Sequence, residues 1–90
     1  MARFARSPQA VVRPLKEGEG AVALNLTSGQ YHGLNETGRI VWDQLASPMS
    51  EAELVAAVRE RLPDAPPQVG ADVAAFLAAM QSRALVVQID

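Results

Sequence analysis

The sequence predicts an α+β domain, a three-stranded antiparallel sheet followed by three helices, and three observations carry that reading. Residues 21–34 alternate apolar and polar positions around a Thr27-Ser28-Gly29 turn, which is the pattern of a hairpin. From Asn35 onward the apolar residues shift to helical spacing, so strand logic gives way to helix logic within one turn of chain. Two proline breaks, Ser47-Pro48 and the Pro63-Asp64-Ala65-Pro66-Pro67 run, then cut the rest into separate helices.

Each element has its own local reason. Residues 10–15 form a short apolar run broken by Pro14, which cannot donate to a ladder and therefore suits an edge strand or its end. Lys16-Glu17-Gly18-Glu19-Gly20 turns the chain, residues 21–26 make the second strand, and residues 30–34 the third, giving a meander with two free edges. Asn35 is placed to cap the first helix, Glu36 sits at its favourable N-terminal end, and Ile40, Val41, Trp42 and Leu45 recur at helical spacing. A lone tryptophan in that stripe reads as core, its ring anchoring helix to sheet. Ser50 with Glu53 three residues later is a capping box, and Met49 is placed to staple onto Leu54. Leu54, Val55, Val58 and Leu62 form the buried stripe of this second helix. The third begins near Gln68 with Val69, Val73, Phe76, Leu77 and Met80 on one face. Its alanines favour helix and leave a smooth side against which another backbone can lie closely. Leu85, Val86, Val87 and Ile89 close the chain as an extended tail that pairs or packs.

Composition bounds the function. Ninety residues with 49% hydrophobic and 20% charged side chains make one globular domain over residues 1–90, its core at about 10–87, too small to build an enzymatic cleft easily. The absence of cysteine removes disulfides, thiolate metal sites and a cysteine nucleophile together, and points to a reducing compartment. No apolar run of signal-peptide or membrane-spanning length occurs, so the expected location is cytoplasmic. The Asn25 and Asn35 Asn-x-Thr triplets then read as a strand position and a helix cap. A net charge of −2 offers no bulk attraction to nucleic acid, although Arg3, Arg6, Arg13 and Lys16 make the start of the chain locally basic.

No catalytic constellation is present. The single histidine, His32, lies beside Tyr31 without the serine and aspartate that a triad needs, and no carboxylate cluster has metal-ligand spacing. No glycine sits in a phosphate loop, which leaves neither cofactor nor metal. Surface binding is the remaining class. Tyr31 either covers the core with its ring or lines a groove, and Phe76 and Met80 are either core or the wall of a groove for an extended peptide.

The most specific run is Gly29, Tyr31, Leu34, Asn35, Thr37 and Gly38, in the pattern Gly-x-Tyr-x-x-Leu-Asn-x-Thr-Gly. Together with the capping-box helix from Ser50, the proline loop and Asp72-Val73-Ala74-Ala75-Phe76, it resembles the PqqD-like proteins, the precursor-peptide recognition elements of ribosomal peptide biosynthesis. Free-standing versions of this size look most like the leader-binding subunit of lasso peptide systems, which partners a separate cysteine protease. The resemblance implies a winged-helix-like fold in which a leader peptide adds as a strand to the third strand and lies against the third helix. Its peptide-binding positions would be Gln30, Tyr31, His32, Gly33 and Leu34 on the strand, with Val73, Phe76, Leu77 and Met80 on the helix. Arg39 or Arg83 is either an attractor of an acidic leader or a solvated surface charge. Two rival readings stand beside this one: a leader-binding adaptor for another maturase, such as a radical enzyme making a redox cofactor, and a winged-helix DNA-binding domain. Charge speaks against DNA, because the third helix offers mainly alanines where a recognition helix brings Arg, Lys, Asn or Gln.

Overall fold

A computed structural model of the protein describes residues 2–16 and 18–89. It has strands β1 (Arg3–Arg6), β2 (Ala10–Pro14), β3 (Ala21–Asn25) and β4 (Tyr31–Leu34), helix α1 (Glu36–Gln44), strand β5 (Met49–Ser50), helices α2 (Glu51–Arg61) and α3 (Val69–Ser82), and strand β6 (Val86–Gln88). The predicted meander is β2-β3-β4, followed by the three predicted helices in a winged-helix-like arrangement. Glu17, in the turn expected between β2 and β3, lies outside the described residues.

The hairpin between β3 and β4 is tied by one buried side chain. Asn25 is almost fully enclosed, and its Oδ1 accepts from the N–H groups of Thr27 (2.9 Å) and Ser28 (3.2 Å) while its Nδ2 donates to the Arg83 carbonyl (2.9 Å). A residue expected to be an ordinary strand position thus closes the turn and ties it to the end of α3. Gly20 is required by its backbone: its φ is +81°, and a Cβ there would overlap the Leu34 carbonyl oxygen.

The helix caps follow the sequence. Asn35 accepts from the Gly38 N–H at 2.8 Å, and the capping box is complete, with Ser50 N–H donating to Glu53 (2.9 Å) and Glu53 N–H donating to Ser50 Oγ (3.2 Å). These bonds, chiefly the one from the Ser50 backbone, hold the Glu53 carboxyl below its ordinary pKa, with the Arg3 charge adding to the effect. At its C-terminus α3 turns through Ala84 (φ +58°), with Leu85 N–H donating to the Met80 carbonyl at 2.9 Å, the pattern of a Schellman motif. Trp42 is buried as expected, in a core that draws on all three helices and both ends of the chain.

A second sheet, of order β5-β1-β6, was not foreseen. Its central strand comes from the arginine-rich start of the chain, with Phe4 opposite Met49 on one side and Gln88 on the other. The extended tail expected after Leu85 pairs here. Arg6 extends from β1 to the C-terminus of α1, where Nη2 donates to the Trp42 carbonyl at 2.7 Å and the guanidinium stands 4.9 Å from the Trp42 ring centroid. Since α1 has no basic residue in its own last turn, a cation supplied from β1 meets the negative end of the helix.

Candidate functional site

Backbone geometry builds the site first. In an antiparallel pair the hydrogen-bonded positions alternate, and the Asn25 N–H to Gln30 carbonyl bond (3.0 Å) fixes their parity. With His32 opposite Ala23 and Leu34 opposite Ala21, the residues left pointing their N–H and C=O away from β3 are Tyr31 and Gly33. Among the described residues β4 pairs with β3 alone, so this edge is open. Nothing in Tyr-His-Gly-Leu blunts it, whereas the opposite edge strand, β2, carries Arg13 and Pro14.

Side chains divide by face. Leu34 and half-buried His32 share the inner face with Ala21 and Ala23, while Tyr31, 69% exposed, and Gly33 stand on the outer face opposite Leu24 and Val22. Gln30 is exposed one residue before β4, its N–H donating to Ser28 Oγ at 3.3 Å.

Where β4 passes into α1, a groove of about 400 Å³ opens between α1 and α3, lined by Asn35, Thr37, Gly38, Asp72, Ala75 and Phe76. Its shape depends on one close approach. A Cβ on Gly38 would come within 2.8 Å of Phe76 Cε1, so glycine lets the half-buried Phe76 ring approach α1 this closely. Of the helix positions expected to bind, Phe76 lines the groove, while Val73, Leu77 and Met80 are sealed in the core beneath it. Asn35, Thr37, Gly38, Asp72 and Ala75 were not singled out for the site. The signal for them was present in the Leu-Asn-x-Thr-Gly end of the motif and in the small residues of α3.

A larger groove, about 650 Å³, is lined by Gly18, Glu36, Arg39, Ile40, Arg61 and Leu62. It shares no residue with the smaller one and includes none from β4. Arg39 lies there, donating to the Leu15 carbonyl at 3.5 Å, and Arg83 caps the end of α3. Among the described residues no group of three or more His, Asp or Glu could hold a metal ion, and no helix is long and apolar enough to cross a membrane.

Solved structures share the fold. The solved structure described as "TbiB1 in Complex with the TbiA(beta) Leader Peptide" superposes with a TM-score of 0.75 at 27% identity, covering 91% of this chain and 93% of that one. A second, "Lasso peptide synthetase B1 complexed with the leader peptide", matches with a TM-score of 0.73 at 21% identity over 93% and 96% of the two chains, a likeness of fold. Among curated proteins no sequence matches. The family model for "Coenzyme PQQ synthesis protein D (PqqD)" matches residues 20–86, from the glycine that fits against β4 to the strand that closes the second sheet, and the chain belongs to that family.

Proposed function

We propose that this protein captures the leader of a ribosomally made precursor peptide as an added strand on β4 and presents it to a separate leader-removing cysteine protease of lasso peptide biosynthesis, breaking no bond itself. The observation that carries the reading is the open Tyr31–Gly33 backbone beside the Gly38–Phe76 groove. Backbone pairing along residues 30–34 supplies roughly 0.5–1.5 kcal/mol per hydrogen bond whatever the leader's sequence. Selectivity falls to the side chains around that edge. Tyr31 meets leader residues on the outer face, His32 and Leu34 bound the inner face, and Phe76 takes an apolar group in the groove. Val73, Leu77 and Met80 support Phe76 from beneath rather than touching the peptide in this arrangement. Both solved neighbours are described as complexes with a leader peptide, which supports the same reading.

Titration with the leader encoded in the same operon, followed by backbone amide NMR, tests it. Saturable shifts on residues 30–34 and around Phe76 are expected, with Tyr31→Ala and Phe76→Ala each weakening binding about tenfold or more. Absence of saturable shifts with that leader would remove the reading.

A further inference from the structure

One flank of α3 borders the groove beside β4. Asp72, Ala75 and Phe76 line that groove, and Asp72 is the one charged side chain in it. Arg83 lies eleven positions further on, and its N–H still donates to the Ala79 carbonyl at 3.2 Å, so the helical ladder reaches it. Eleven residues return to within about 20° of the starting direction after a rise of about 16 Å. Asp72, Phe76, Ala79 and Arg83 therefore form one stripe. Its two ends lie by the two ends of β4. Asp72 shares the groove with Asn35, just after β4, while the Arg83 carbonyl accepts from Asn25, whose N–H donates to the Gln30 carbonyl just before β4.

Both charged residues are exposed, and neither side chain has a hydrogen-bond or ion-pair partner among the described residues. An acid in the first turn of a helix and a base at its end suit the helix dipole. That preference fixes the sign of each charge but is met equally on any flank, whereas these two share the flank that borders the groove. A strand laid along β4 covers the same length in about four to six residues, an even number keeping both side chains on the α3 side. We infer that Asp72 and Arg83 select the leader's charge order: a basic side chain opposite Asp72 and, that many residues later, an acidic one opposite Arg83. The order follows from an antiparallel strand, the pairing β4 already makes with β3, since β4 runs from the Arg83 end to the Asp72 end. The inference rests on the strand-addition reading and gives it a polarity, because a leader entered backwards would set like charges together.

The test uses the full chain and the fluorescently labelled leader encoded in the same operon, each leader residue replaced in turn by Lys and by Glu. With the wild-type chain, Lys should bind about threefold or more tighter than Glu at one position, and Glu tighter than Lys by a similar factor about four to six residues later. Both preferences should shrink at high salt. Asp72→Asn should erase the first preference and Asp72→Lys reverse it, with Arg83→Gln and Arg83→Glu doing the same to the second. Both residues are exposed, so the variants should melt with the wild type. Lys and Glu profiles that are equal, or that the variants leave unmoved, would overturn the selection and leave leader capture intact. Preferences in the opposite order would overturn it too. Variants that lose affinity for every leader alike would place Asp72 and Arg83 in the fold rather than in charge selection, and overturn it as well. A wild-type chain that saturates with none of these leaders would remove the strand-addition reading, and this inference with it.

Discussion

The two sheets are built from similar short strands and differ in how the chain reaches them. In the β2-β3-β4 sheet each strand follows its neighbour through a turn, and the last strand is left open. In the β5-β1-β6 sheet the centre comes from one end of the chain, one edge from the other end, and the second edge from the two residues before α2. Local pairing leaves a free edge at low entropic cost, because little chain has to be closed into a loop. The long-range sheet fastens the ends against the core. One sheet leaves an edge open and the other holds the domain together.

The largest effect is expected where that contrast is broken at its centre. Phe4 is 7% exposed between β5 and β6, and Phe4→Ala should cost about 3–5 kcal/mol of stability, read by chemical denaturation. Tyr31→Ala, on the exposed edge, should fall within about 0.5 kcal/mol of wild type in the same assay. Equal losses from the two changes would erase the distinction between a fastening sheet and a receiving one.

Gly20→Ala comes next. The left-handed backbone and the overlap with the Leu34 carbonyl should together cost about 2–3 kcal/mol. The damage should also show as weakened leader binding, because Leu34 ends the receiving strand. A Gly20→Ala chain of wild-type stability would mean that the β2–β3 turn is not fixed against β4.

The smallest effect concerns Glu53 and the fastening sheet. Its folded pKa is depressed, so its contribution is present above the ordinary glutamate value and is lost as pH falls through the depressed folded one. Glu53→Gln should flatten that part of the stability-versus-pH curve and leave neutral-pH stability only slightly lower. An unchanged acid limb would show that the capping-box charge contributes nothing measurable.

What was legible in the sequence follows the same division. The Thr27-Ser28-Gly29 turn, the Asn35 and Ser50 caps and the proline breaks act within a few residues, and each predicted element was found within about two residues of its expected ends, the usual scatter of such boundaries. The second sheet was not legible, because Phe4 opposite Gln88 is a pairing across most of the chain and nothing near Phe4 encodes it. The Arg6 contact with α1 was hidden for the same reason. For the candidate site, β4 and Phe76 were visible from pattern and from the family resemblance. Helical periodicity alone cannot tell a residue buried in the core from one that lines a groove; Val73, Leu77 and Met80 are buried, while Phe76 lines the groove. Gly38 is the converse case, where the absence of a side chain shapes the groove.

The fastening sheet also settles where the domain can be joined to something else. Ile89 N–H donates to the Arg3 carbonyl at 2.9 Å, so the two ends of the described chain leave the molecule side by side. Among the described residues no strand of that sheet pairs with β4. A host polypeptide could therefore enter at Arg3 and leave at Ile89, carrying the domain as a single excursion from one of its own loops. The strands that hold the described ends together are thus separate from the strand whose edge is open.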